Sequence, residues 1–334
     1  MRLIGWIRSY AVLLGLLFLP HISNKTVMGY ESLLEMSDFG VVSFKTEPLI
    51  RAQSQYGQYL RNYGIWGNLY GYEGRLRPKL SVFDKLKNSD TGMQFGIDLP
   101  SSGLFSTCLY YSYASPTHSV MASPVPVFNE GALKATNHLF GLRWTSYGDG
   151  LYMLFGLNGG FDNYGFHSLD DGTFNGSGWQ LGGNGEFGLD IPLGTWNLRP
   201  HLTFDYRWLT HSDIDYQQSI LFEDNTCNAL YSNLGVRVFR PLGPILDWQT
   251  RFSWLHNYLN CNDPIRVQRF GFISGMTTPT QLFLDGNPGR DWLWFGTGLK
   301  LHFGHFFSFF VDYDLTFNKY ETTHSGSLMA ILSW

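Results

Sequence analysis

No run of 18 or more apolar residues follows the N-terminal segment, so nothing beyond it could cross a bilayer as a helix. Charge is scarce too. Asp, Glu, Lys and Arg make up 15% of the 334 residues, against roughly a quarter in ordinary soluble domains. The formal net charge of −4 carries no basic excess, which removes nucleic acid as a favoured partner. There are three cysteines, none directly behind the N-terminal apolar core, so a lipoprotein anchor has no support. Ten histidines form no tight cluster, and neither a metal site nor a cofactor is expected. What is plentiful is aromatic side chain, 17%, and glycine, 38 residues. In a β-barrel half of each strand faces a polar lumen, so mean hydropathy stays ordinary while lipid contact is still made.

Residues 1–24 read as a secretory signal: Arg2 and Arg8 precede the apolar core Tyr10 to Leu19, which Pro20 ends. Residues 25–61 form a short leader without strand alternation. Within it, Glu47 to Arg61 has helix-compatible spacing, with Pro48 at a first-turn position.

From Asn62 the chain alternates. The clearest stretch is Gly178 to Trp208. Trp179, Leu181, Phe187, Leu189 and Ile191 share one face, and Gln180, Asn184, Glu186 and Asp190 the other. After the turn Pro192-Leu193-Gly194, alternation resumes with Trp196, Leu198, Leu202, Phe204, Tyr206 and Trp208 against Asn197, Arg199, His201, Thr203, Asp205 and Arg207. Such a period of two belongs to strands. Runs of this length suit a tilted bilayer crossing of roughly 9–11 residues better than a soluble strand.

The same pattern predicts strands at 62–72, 90–99, 103–114, 136–147, 150–163, 178–191, 195–209, 228–240, 246–259, 291–303, 305–318 and 323–334. Tight turns alternate with long polar connections, as in outer-membrane barrels with periplasmic turns and surface loops. A thirteenth candidate, Val267 to Ser274, would break the parity and is assigned to a surface loop. The expected fold is all-β: a transmembrane antiparallel β-barrel of about 12 strands over 62–334, with a candidate N-terminal pore helix.

The face opposite the apolar one is the lumen wall. It receives Asp98, Arg143, Glu186, Asp190, Arg199, Asp205, Arg207, Arg237, Asp247, Arg251, Lys300, Asp312 and Asp314. Six basic against seven acidic residues predict cross-strand charge pairs rather than an ion-selective ring. In the last strand Leu328, Ala330, Leu332 and the terminal Trp334 share the outward face. This resembles the signal read by barrel-assembly machinery, although a terminal Phe is commoner; an interfacial Trp anchor reads equally well. Cys227 and Cys261 fall at the outer rim of neighbouring strands, either as a disulfide or as two free thiols, while Cys108 faces the lumen unpaired.

Several short segments together resemble the translocator domain of type V autotransporters. They are Ile65-Trp66-Gly67-Asn68-Leu69-Tyr70-Gly71, Thr91-Gly92-Met93-Gln94-Phe95-Gly96-Ile97-Asp98, Leu198-Arg199-Pro200-His201-Leu202 and Leu234-Gly235-Val236-Arg237-Val238. Further on come Phe252-Ser253-Trp254-Leu255-His256, Phe295-Gly296-Thr297-Gly298-Leu299, Val311-Asp312-Tyr313 and His324-Ser325-Gly326-Ser327-Leu328. The resemblance implies a twelve-stranded barrel with a helix through its pore, exporting an N-terminal passenger. About 35 residues lie between the signal and Asn62, so a passenger-less or minimal form is expected, its leader plugging the lumen. The partners expected are outer-membrane lipid and the barrel-assembly machinery, with the protein a monomer. A solute pore and a surface-loop adhesin are the competing readings.

An enzyme is not expected. The neighbours His118-Ser119, His167-Ser168, His211-Ser212 and His324-Ser325 point to opposite faces wherever they lie on strands, so none makes a nucleophile–base contact.

Overall fold

The computed structural model describes residues 64–76, 85–99, 105–115, 117–122, 132–148, 150–168, 172–211, 214–216, 220–222, 225–259, 266–273, 276–283, 290–304 and 306–333. The expected signal, leader and pore helix lie outside them.

Among the described residues every regular element is a strand. The first half of the chain gives β1 (Gly64–Leu76), β2 (Lys85–Leu99), β3 (Phe105–Ala114), β4 (Thr117–Ala122), β5 (Ala132–Gly148), β6 (Leu151–Ser168), β7 (Gly172–Leu189), β8 (Ile191–Leu193) and β9 (Trp196–His211). The second gives β10 (Ile214–Tyr216), β11 (Ile220–Phe222), β12 (Asn225–Pro241), β13 (Leu246–Leu259), β14 (Arg266–Ile273), β15 (Met276–Phe283), β16 (Asp291–Phe303), β17 (Phe307–Phe317) and β18 (Glu321–Ser333).

Twelve of them close an antiparallel barrel, running β1-β2-β3-β5-β6-β7-β9-β12-β13-β16-β17-β18. The ring shuts where β1 pairs with β18, from Gly64↔Ser333 to Leu76↔Glu321. The even count leaves both barrel ends on the same rim as the tight turns. Three of those turns need a left-handed residue and have glycine there, Gly150 at φ 79°, Gly194 at φ 64° and Gly304 at φ 67°.

The two faces of the wall invert the usual rule of a soluble protein. Leu69 is 59% exposed and Leu157 58%, whereas Arg143 and Glu186 are both at 0%. An apolar exterior over a polar interior is stable where the surroundings are hydrocarbon, and a closed ring leaves no unpaired strand edge there. Inside, a small apolar cluster of Trp66, Cys108, Tyr110, Leu139, Phe310, Met329 and Ile331 interrupts the polar lining.

Four differences from the sequence reading have physical causes. Strands β2, β6 and β7 run five or six residues further toward the loop rim than 90, 163 and 178, because backbone ladders continue where regular apolar alternation stops. β4 continues the line of β3 past Ser115 and Pro116, pairing with β2 and β5 inside the segment 115–135 expected to be loop. Pro192 and Leu193 extend their hairpin as β8 after an irregular Asp190, which moves the turn to Gly194 and Thr195. The loop reading of Val267 to Ser274 is corrected: β14 is a strand, yet it joins a separate four-stranded sheet with β10, β11 and β15, so barrel parity survives.

Candidate functional site: the wall of the bore

Alternation delivers every second residue of a barrel strand to the bore. Along β9 these are Arg199, His201, Thr203, Asp205 and Arg207, all buried. All thirteen residues placed on the lumen face by the sequence lie opposite the exposed apolar side chains. Eleven are buried, and Asp190 and Asp247 are half-buried.

Their pairing follows a rule that the sequence does not display: three of the buried ion pairs skip a strand. Strands stand about 4.8 Å apart, so a next-but-one partner is about 10 Å away, within reach of an arginine laid flat on the wall. Arg237 on β12 makes a two-pronged contact with Glu186 on β7, Nη1 to Oε1 at 2.6 Å and Nη2 to Oε2 at 2.9 Å. Both strands pair with β9, which lies between them. There Thr203, opposite Glu186, donates its hydroxyl to Oε2 at 3.1 Å. The Tyr152 hydroxyl on β6 donates to Oε1 and accepts from Arg237 at 3.1 Å.

Arg251 on β13 likewise reaches over β16 to β17. Its Nε donates to Asp314 at 2.6 Å, and its Nη2 lies 3.3 Å from Asp312. Gln249 and Trp294 donate to the same two carboxylates at 2.7 and 2.9 Å. The residue in register with both Arg251 and Asp314 is Gly296. A Cβ there would sit 2.0 Å from the Asp314 carboxylate and 2.3 Å from the Arg251 Nε. A third crossing joins Arg143 on β5 to Asp98 on β2 at 2.9 Å, over Cys108 of β3.

The remaining pairs are shorter in reach. Arg199 binds Asp190 at 2.5 and 2.7 Å, and its guanidinium packs 4.6 Å from the Tyr152 ring centre. Tyr147 donates to the same carboxylate at 2.6 Å and also contacts Arg199. Arg207 lies 3.4 Å from Asp205 on its own strand and donates to Gln180 at 3.3 Å, which in turn donates to Asp162 at 3.1 Å. Asp247 meets His302 at 2.8 Å. The Lys300 ammonium sits 5.0 Å from the Phe310 ring centre. Each arginine of the set is therefore matched by acid, and the lining is polar but locally neutral. A wall of this kind holds no single ion strongly, as a ring of one charge would.

Sequence reasoning missed Tyr147, Tyr152, Gln249 and Trp294 as network members, because it counted charges and not their hydrogen-bonding neighbours. Asp162 and Glu321 were missed at strand ends; Glu321 accepts from Trp292 at 3.0 Å. All fall on the inward parity, which was the available signal.

Leu328, Ala330 and Leu332 share the outward face of β18, opposite Val311, Phe309 and Phe307 of β17. Trp334 lies outside the described residues, as do Cys261 and the side chain of Cys227. Cys108 is free and buried, its Sγ accepting from the Trp66 indole at 3.4 Å.

Comparison with known proteins follows the same lines. Residues 65–314 match the family model of the autotransporter beta-domain. The translocator domain of NalP from Neisseria meningitidis superposes with a TM-score of 0.70 at 13% identity, covering 90% of this chain and 98% of that one. The transport unit of AIDA-I from Escherichia coli gives 0.63 at 15%, covering 86% and 99%. The beta domain of the Bordetella autotransporter BrkA gives 0.62 at 14%, covering 82% and 100%. No curated protein matches by sequence.

Proposed function

The chain belongs to the autotransporter beta-domain family and sits in the bacterial outer membrane, and from that premise we propose that its bore carries the segment N-terminal to β1 to the cell surface. The observation that supports this reading most is the lining itself. Inward arginines are neutralised by carboxylates held in the wall, so a polypeptide of either charge meets hydrogen-bonding groups without a strong electrostatic trap. β1 also starts at Gly64 on the tight-turn rim, where β18 ends, which supports the bore as the direct route for a preceding segment to the opposite side.

In this reading residues 1–24 direct the chain across the inner membrane, and 47–61 span the bore once the preceding residues have passed. The outward row Leu328, Ala330 and Leu332, with Trp334, addresses the barrel-assembly machinery, and the barrel works as a monomer. An epitope tag at residue 30, probed by protease on intact cells, tests the route. Cleavage without lysis is expected. A tag that stays protected while a tag between β15 and β16 is cut would show that the segment is not exported.

A further inference from the structure

The bore has two unlike sectors. Round the closed ring β1 and β9 stand opposite each other. β9 and its neighbours β7 and β12 turn Glu186, Arg199, Asp205, Arg207 and Arg237 inward. Among the described residues, β1 and β18 turn a single charged side chain inward, Glu321 at the loop end of β18. Toward the tight-turn rim their inward residues are Trp66, Met329 and Ile331, which cluster with Phe310 of β17 and Tyr110 of β3.

The rings of this apolar sector lie along the wall and not across the bore. Ile331, Trp66, Gly96, Tyr110 and Gly141 follow one another in register from β18 to β5. A Cβ on Gly96 would fall 2.5 Å from the Trp66 ring, and one on Gly141 would collide with that of Tyr110. Higher on β1, Tyr70 lies over its register partner Gly92 in the same way. The glycines are slots that let the rings lie flat, because glycine in a strand admits close approach to its backbone. The sector therefore offers a flat apolar surface that follows β1.

The segment before β1 has the complementary pattern. Read as a helix at about 100° per residue, 47–61 puts Leu49, Ala52, Tyr56, Tyr59 and Leu60 on one side. Arg51, Ser54 and Gln58 stand opposite, and of the apolar residues Ile50 alone falls off the stripe. Such a helix is about 22 Å long. Arg61 precedes Gly64 by three positions, so that end stays within about 10 Å of the start of β1, on the apolar side of the bore. Resting on the reading that 47–61 span the bore, we propose that the segment sits there by one fixed face. Its stripe packs on the sector centred on Trp66 and Tyr70, and Arg51, Ser54 and Gln58 face the salt-bridged wall of β9.

Photo-crosslinking of the full chain tests it, with benzoylphenylalanine in place of Tyr56 or of Gln58 and the adducts mapped by peptide mass spectrometry. Heat-modifiable mobility on gels shows that each variant has folded. Tyr56 should give adducts in β18, β1 and β3, and Gln58 in β7, β9 and β12. Adducts from both positions in both sectors would mean a segment in the bore without a fixed face, which overturns the proposal and leaves the reading beneath it standing. Adducts with neither sector, or only between two copies of the chain, take the segment out of the bore and overturn both. Conductance gives a second readout. Tyr56→Glu, which sets a charge against the apolar sector, should give the full chain a larger and steadier conductance than wild type, while Gln58→Glu should not. Equal conductance of these two variants overturns the fixed face.

Discussion

Two adjacent stretches of the wall solve one problem in different ways, meeting where Arg237 and Arg251 stand in register on β12 and β13. In the first, Glu186 and Arg237 clasp across β9, where Thr203 stands beneath them and joins the contact by its hydroxyl. In the second, Arg251 and Asp314 clasp across β16, where Gly296 leaves no side chain at all. The difference teaches what an intervening strand can offer, a partner at one crossing and empty space at the other, while the small Cys108 beneath Arg143 and Asp98 also lets a pair pass. A bulky apolar side chain in the position of Thr203 or Gly296 would part the charges and leave both buried without compensation. This is the costly condition for ion pairs removed from water, where losing a partner matters more than the pair itself contributes.

That comparison can be broken in graded steps by unfolding the refolded barrel in urea. Gly296→Val should have the largest effect, about 3–5 kcal/mol or failure to fold, because it separates Arg251 from Asp314 while both remain buried. Glu186→Gln should cost about 3 kcal/mol by leaving the Arg237 charge facing a neutral amide. Replacing both partners, Glu186→Leu with Arg237→Met, should return stability to within about 1 kcal/mol of wild type, which a double-mutant cycle would register as strong coupling. Thr203→Val should be smallest, about 1–2 kcal/mol for one hydrogen bond to a charged acceptor with the shape kept. If Thr203→Val destabilised as much as Gly296→Val, the distinction between a partner and a vacant position would fail.

The wall was legible in the sequence, because its signal is local. Twelve runs with period two gave the strand count, and the parity of each run separated Leu69 and Phe95 from Arg143 and Asp98 before any contact was known. Beyond the hydrocarbon that signal disappears. Residues 85–89, 164–168 and 172–177 carry only isolated apolar residues such as Leu86, Phe166 and Phe174 and no run long enough to mark a strand, so their ladders were not visible, and β14 alternates well but pairs outside the barrel. Partner identity was not legible either. Which arginine meets which acid depends on stagger between strands up to 63 positions apart, as with Arg251 and Asp314, and no local pattern encodes it. Gly296 shows the limit well. In the sequence it is one glycine in a glycine-rich chain, and only the register reveals that it holds a gap open.

The bore is proposed as the path of the N-terminal segment, and single-channel conductance in planar bilayers tests that most directly. The full chain should show a small, rarely opening conductance, and the same barrel lacking residues 25–61 a larger and steadier one. An identical conductance for the two would mean that the segment does not lie in the bore.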